Sequence, residues 1–238
     1  MGQFRFKKFS VDDSHCAMKI GTDGVLLGAW ADVETSRSIL DVGCGSGLIS
    51  LMMAQRNPDA EIVGVEIDEH ACGDALANVR RSEWSDRIRV VNMDILDYVE
   101  MLESPLTILS NPPFYTEDIH SPDCMRTLAR HGAKFGVREL IEFGAGRLSS
   151  PADSLAFIAP AGRDEEIEFL LELKRLEVRR HTVVFSKKGK MPFRSLWQVG
   201  KTNGNGCSHE ISYLCIRNED NSFSEEYAAL TSAFYLDK

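Results

Sequence analysis

Short apolar runs alternate with longer segments of helical period along nearly the whole chain. The runs predict strands over 38–42, 61–66, 88–93, 106–110, 154–159, 176–185 and 210–217, with one more near 195–200. Apolar residues at helical spacing predict helices over 22–31, 47–56, 69–82, 137–148, 163–174 and 224–234. The last starts at Ser224, a capping residue type, with Glu225 and Glu226 in its first turn, where carboxylates oppose the positive helix end. Regular alternation of this kind belongs to an α/β fold: a doubly wound, mostly parallel, Rossmann-like sheet covered on both faces. Residues 116–136 lack a period and are long for a connection, and loops of that length are usually functional or mobile. Asn203-Gly204-Asn205-Gly206, within 200–208, predicts a turn or loop between antiparallel strands.

One strand–helix junction carries chemistry. Strand 38–42 runs into Asp41-Val42-Gly43-Cys44-Gly45-Ser46-Gly47 and then an apolar helix, the layout of a nucleotide-binding βα unit. The next strand, Ile62-Val63-Gly64-Val65-Glu66, ends in a carboxylate placed to accept from both hydroxyls of a ribose, with Ile67 beside it. The glycine spacing is G-x-G-x-G rather than the dinucleotide G-x-G-x-x-G. Asp41 beside that loop repels a diphosphate but suits a ligand bearing an ammonium and a sulfonium, such as S-adenosylmethionine. Asp94 ends the following apolar run, where it can accept from an adenine amino group while Met93 or Ile95 flanks the ring. Asp94 equally suits the cap of a helix over Ile95-Leu96-Asp97, and both roles can hold.

A second junction is more specific. Leu106-Thr107-Ile108-Leu109-Ser110 is followed by Asn111-Pro112-Pro113-Phe114. Two prolines fix φ near −65° and donate no N–H, so the chain leaves the strand on one rigid path. That path aims the Asn111 amide and the Pro112 carbonyl at a common spot beside the Phe114 ring, an acceptor-rich slot for a flat molecule carrying –NH2. A proline-rich turn after a strand is the alternative.

Asp41 to Gly47, Glu66, Asp94 and Asn111 to Phe114 resemble, in order, the motifs of class I S-adenosylmethionine-dependent methyltransferases that act on exocyclic amines. Phe4-Arg5-Phe6-Lys7-Lys8-Phe9, the stretch His15 to Trp30 and the closing Tyr227 to Leu236 resemble one family within them. It is the bacterial tRNA (adenine-N6)-methyltransferases that modify the adenine 3′ of the anticodon in a valine tRNA. The likeness spans nearly the whole chain and is loosest between Thr116 and Ser224. The family usually has Tyr where this chain has Phe114, and Asn-Pro-Pro-Phe also occurs in ribosomal RNA guanine-N2 methyltransferases. The resemblance implies S-adenosylmethionine as cofactor, a tRNA substrate, and transfer at Asn111, Pro112, Pro113 and Phe114. Cofactor contacts are expected from Lys19, Thr22, Asp23, Asp41, Gly43, Cys44, Gly45, Gly47, Glu66, Ile67, Asp94, Ile95 and Asn111. Residues 1–37 are expected to pack over the cofactor site as an extension, with an amphipathic helix as its apolar lid, and 38–238 to form the methyltransferase domain.

Composition narrows the setting. A chain of 238 residues, 43% hydrophobic and 26% charged, supports one sizeable core. No apolar run approaches the roughly eighteen residues of a membrane span, and the N-terminus lacks a signal-peptide h-region. Cys16, Cys44, Cys72, Cys124, Cys207 and Cys215 form no C-x-x-C pair, so reduced thiols in a cytoplasmic enzyme are expected, with no metal and no obligate protein partner. The net charge of −9 opposes general nucleic-acid binding. Local clusters offset it: Arg5, Lys7 and Lys8; Arg126, Arg130 and Lys134 with His131 and Arg138; and Lys187, Lys188, Lys190 and Arg194. The first two clusters are the expected RNA contacts. Release-factor glutamine methyltransferases share a similar Asn-Pro-Pro motif but carry an N-terminal helical domain, whereas only residues 1–37 precede the first strand here. Guanine-N2 methylation usually accompanies a duplicated domain, and the non-enzyme alternative is an RNA-binding scaffold with a degenerate cofactor fold.

Overall fold

The computed structural model describes residues 3–114, 135–202 and 210–236. The chain opens with an antiparallel ribbon of β1 (Gln3–Arg5) and β2 (Ser10–Asp12), followed by α1 (Thr22–Trp30). Then come β3 (Ser38–Val42), α2 (Leu48–Arg56), β4 (Glu61–Glu66), α3 (Glu69–Arg80), β5 (Ile88–Asn92) and β6 (Leu106–Ser110). The remainder is α4 (Val137–Arg147), β7 (Ser154–Pro160), α5 (Asp164–Leu173), β8 (Leu176–Lys187), β9 (Pro192–Lys201), β10 (Ile211–Arg217) and α6 (Glu225–Thr231).

Eight strands form one sheet in the order β10-β8-β9-β7-β6-β3-β4-β5. β9 alone runs against the others, pairing antiparallel with β7 and β8. β3 and β6 are buried at every residue because helices cover both faces. Pleating sends alternate β9 side chains to opposite layers. Leu196 joins the cluster under α1, α2 and α6, while Trp197 joins the one under α4 and α5.

Helix starts follow local chemistry. Ser224 Oγ accepts from Tyr227 N at 3.0 Å, and Asp68 Oδ1 accepts from Ala71 N at 2.8 Å, satisfying first-turn donors of α6 and α3.

Four features depart from the sequence expectation. The N-terminal ribbon has strands too short to leave a period. β8 and β9 extend to Lys187 and from Pro192 to Lys201, further than their apolar runs. β9 and β10 are antiparallel but not neighbours, since β8 lies between them; the turn expected at 203–206 falls outside the described residues. Finally, α1 is not amphipathic: Gly24 to Trp30 are all buried, because the helix is packed among α2, α6 and β7. A Cβ at Gly28 would stand 2.6 Å from Met52 Sδ, so glycine permits that close approach of α1 to α2. Phe6, Phe9 and Val11 enter the same core, which ties the N-terminal ribbon to the sheet.

Candidate active site

Strand order reverses between β3 and β6, with β4 and β5 on one side and β7 on the other. Connections leaving the two strands diverge there and open a crevice beyond their C-terminal ends. Ser110 Oγ donates to the Val42 carbonyl at 2.8 Å and ties the strand ends together. A cavity of about 320 Å³ lies at this point, within the range of small-molecule sites.

The glycine loop forms its floor. Gly43 and Gly45 sit at φ 68° and 54°, a left-handed conformation that side chains resist, and a Cβ at either would meet nothing within 4 Å. The cradle is therefore left clear. Gly43 N and Cys44 N donate to the Val65 carbonyl at 2.9 and 3.1 Å, fastening the loop to β4.

Asp41 lies beneath this floor rather than in it. Its Oδ2 accepts from Ser50 N at 2.9 Å and Ser50 Oγ at 2.6 Å, anchoring the first turn of α2. Complete burial pushes its carboxyl up to about 6, against those two hydrogen bonds. Gly47 caps α2 and turns toward Ala75 of α3, so it too lies off the cavity.

Glu66, at the end of β4, lines the cavity with Ile67 and Asp68. Its Oε2 accepts from Gly45 N at 2.8 Å and its Oε1 from Asp68 N at 2.9 Å, which aims the carboxylate and braces the loop. Burial raises its pKa, and the backbone donors oppose that rise. Met93, Asp94, Ile95 and Leu96 form the next stretch of wall. Asp94 Oδ1 accepts from Leu96 N at 2.9 Å, so it caps a 3₁₀ turn while lining the cavity.

Cys16 to Gly21 and Gly24 supply the rim. Long-range contacts set this segment: Asp12 N donates to Asn78 Oδ1 at 2.9 Å, and Asn78 Nδ2 donates to the Asp12 and Ser46 carbonyls. His15 meets Asp74 at 2.8 Å, and that carboxylate raises the imidazole pKa. Asp13 Oδ2 accepts from Ile20 N at 2.8 Å, and Lys19 Nζ donates to the Asp13 and Ser14 carbonyls. Lys19 reaches the cavity, whereas Thr22 is exposed off it and Asp23 pairs with Arg194 at 2.9 Å.

Asn111, Pro112 and Pro113 close the remaining side, with Phe135 and Glu139 beside them. Asn111 Nδ2 points to Met18 Sδ at 3.8 Å. Asn111 Oδ1 is buried and has no hydrogen-bond partner among the described residues. A buried acceptor left so costs roughly 1–3 kcal/mol. Phe114 does not line the cavity: its ring packs on the core, with the Arg194 guanidinium carbon 4.7 Å from its centroid.

Of the basic residues, Arg5, Lys7 and Lys8 are exposed on the N-terminal ribbon, where Lys7 N donates to the Phe234 carbonyl. Arg126, Arg130, His131 and Lys134 fall outside the described residues, and Arg138 lies 3.5 Å from Glu166. Sequence reasoning missed Asp13, Asp74, Asn78 and Glu139, and it named Arg194 only as one of a basic cluster. Of the four missed, only Glu139 left a signal, as a carboxylate in a first helical turn that accepts from Gly136 N at 2.9 Å.

The residues present suit S-adenosylmethionine: a clear glycine cradle, an aimed carboxylate at the second strand end, and an orphaned buried acceptor opposite. Comparisons with known proteins agree. The family described as "Methyltransferase small domain" matches residues 14–137. The chain is 40% identical to a tRNA1(Val) (adenine(37)-N6)-methyltransferase of Bacteroides thetaiotaomicron over 98% of its own length and 97% of that protein. It is 39% identical to the protein of the same name from Aeromonas hydrophila, with the same coverage. Among solved structures, it resembles one described as a predicted O-methyltransferase of Agrobacterium tumefaciens, with TM-score 0.65, 17% identity, and coverage of 89% of this chain and 96% of that one. It also resembles TYW2 of Pyrococcus horikoshii in complex with MeSAdo, with TM-score 0.55, 14% identity, and coverage of 82% and 68%. At such identities these two structures speak for the fold alone.

Proposed function

We propose that this chain, which belongs to the family of tRNA1(Val) (adenine(37)-N6)-methyltransferases, moves a methyl group from S-adenosylmethionine to the exocyclic N6 of adenine 37 in a tRNA. Similarity over the whole chain to tRNA enzymes favours this acceptor over a ribosomal guanine or a protein glutamine. One observation carries the catalytic part: the partnerless Oδ1 of Asn111 in the cavity wall.

Bound S-adenosylmethionine supplies a methyl group already activated on a sulfonium. Glu66 would accept from the ribose hydroxyls and Asp94 from the adenine amino group, and Gly43 and Gly45 would let the backbone approach without Cβ atoms. Lys19 and its neighbours would cover the cofactor from the rim. An exocyclic adenine nitrogen is a poor nucleophile because its lone pair is delocalised into the ring. Asn111 Oδ1 and the Pro112 carbonyl accept its two N–H bonds and direct the lone pair into the cavity. As the N–CH3 bond forms and the S–CH3 bond breaks, positive charge would grow on that nitrogen, so these acceptors would strengthen in the transition state; the demethylated thioether would then leave and the surplus N–H proton pass to water. Phe114 and Arg194 stack behind this wall and hold its shape. The reaction is assigned to the cytoplasm, where tRNA is modified and the described cysteines Cys16, Cys44, Cys72 and Cys215 stay free thiols. No helix among the described residues is long and apolar enough to cross a membrane.

The test is methylation of unmodified total tRNA with labelled S-adenosylmethionine, followed by mass spectrometry of the nucleosides. N6-methyladenosine is the expected product. N2-methylguanosine, label on protein, or no transfer overturns the assignment.

A further inference from the structure

β9 runs against its neighbours, so its first residues, not its last, lie at the ligand-binding edge of the sheet. Arg194 pairs in register with Pro160, the final residue of β7. From there the β8–β9 hairpin continues past the end of β7, flanked by β10 as far as Arg217 opposite Lys187, to a turn at Lys188, Gly189 and Lys190, where Lys188 N donates to the Arg217 carbonyl at 3.3 Å and Lys190 N to the Lys187 carbonyl at 3.1 Å. At about 3.3 Å per residue, β8 runs on by about 10 Å from Val184, which faces Arg194, to Lys187 at the base of the turn.

The root of this hairpin touches the transfer motif. The Arg194 guanidinium is layered between Phe114 and Phe193, at 4.7 and 5.1 Å from the ring centroids, and its Nε donates to Asp23 at 2.9 Å. The tip differs from the root. Lys188 and Lys190 are exposed, and neither ammonium has a hydrogen bond or ion pair among the described residues. Lys187 is already engaged: it donates to Asn221 Oδ1 at 3.1 Å and lies in the field of Asp220. Arg217 is likewise held, on the Asn221 carbonyl and over Phe223. Met191, 82% exposed, follows the two lysines. In a chain of net charge −9, two uncommitted cations at the tip of a hairpin whose root meets the transfer motif are available to an anionic partner.

We propose that the β8–β9 hairpin is an RNA-docking arm: Lys188 and Lys190 hold backbone phosphates of nucleotides flanking the target, while Arg194 fixes the arm's root against Phe114. This rests on the proposed RNA substrate and adds the surface that grips it. Phosphate contacts position a substrate without reading its sequence, which suits a tip separated from the base slot.

Lys188→Ala/Lys190→Ala and Lys188→Arg/Lys190→Arg test it in the full chain saturated with S-adenosylmethionine. Affinity for unmodified tRNA is measured from about 50 to 200 mM salt, with cofactor affinity by calorimetry as the control for folding. Removing one lysine–phosphate interaction lowers the slope of log K against log salt by roughly 0.7–0.9, so the double alanine variant flattens it by about 1.4–1.8. It also weakens binding about tenfold or more at the lower salt, and the arginine pair restores both. An unchanged slope overturns the docking arm, whether affinity is kept or reduced, as does failure of the arginine pair to restore it. Loss of binding to an acidic protein with an intact tRNA slope overturns it in favour of a protein partner. Whether the unaltered protein methylates tRNA at all is read separately and judges the proposed function, not the arm.

Discussion

The two walls of the cavity differ in how completely they are finished. On the cofactor wall, each Glu66 oxygen holds a backbone N–H, Asp94 caps its own turn, and the glycine loop is fastened to β4. On the acceptor wall, Asn111 Oδ1 is buried without a partner among the described residues. The first wall is organised before any ligand arrives and needs no reorganisation on binding. On the proposed mechanism the second is completed by an N–H of the target base, so its interaction energy would appear when that base enters. Binding and rate are thus separable by mutation.

The sharpest break in this comparison is Asn111→Ala. It removes an acceptor that strengthens in the transition state, and single-turnover transfer to tRNA should fall by about a hundredfold or more, with cofactor affinity by calorimetry little changed. Equal losses in both would erase the distinction between the walls.

Asp41 sits beneath both walls and should report on stability. Its carboxyl, pushed up to about 6, holds a proton more tightly folded than unfolded. The stability this contributes is complete below the ordinary Asp value near 3.8 and is lost as pH rises through about 6. The loss is on the order of 3 kcal/mol. Asp41→Asn should flatten that fall in denaturant titrations between pH 4 and 7, and an unaltered slope would remove Asp41 as its source.

Glu66→Gln tests the finished wall more cleanly than alanine, because Gln still accepts from one backbone N–H. Losing charge-assisted bonds to the ribose, worth roughly 1.5 kcal/mol, should weaken S-adenosylmethionine about tenfold. Transfer at saturating cofactor should change less. The smallest effect is a pH dependence: burial raises the Glu66 pKa, so cofactor affinity should decline several-fold as pH falls through that raised value. Glu66→Gln should show no such decline, and a parallel decline in both proteins would place the titrating group elsewhere.

The cofactor wall is legible in the sequence because its determinants are local. An apolar strand, three glycines and a spaced carboxylate dictate one another over residues 38–66, and Asn111-Pro112-Pro113 announces itself by the stiffness of proline. The rim is harder. Asp12 finds Asn78 and His15 finds Asp74 across some sixty positions, and no spacing rule encodes such pairs. Phe114 reads as a cavity residue because it follows the prolines; its ring instead meets Arg194 from β9, eighty positions away. The helix at Thr22–Trp30 reads as an amphipathic lid, but burial of Gly24 to Trp30 turns it into core, and of this segment Cys16 to Gly21 and Gly24 reach the cavity. Sequence period reports which side of an element is dry, and it fails where all sides are.

The lone reversed strand has a consequence for how such enzymes diversify. A parallel sheet presents its ligand edge through long crossovers, whose lengths are tied to the helices they carry. β9 instead reaches that edge through a tight turn between Lys187 and Pro192, with no helix in between. Residues can be inserted or exchanged in that turn without moving any element that holds the cofactor. The reach of the hairpin is thereby a parameter free to drift apart from the chemistry, and grafting turns of other lengths onto this scaffold offers a way to retarget it.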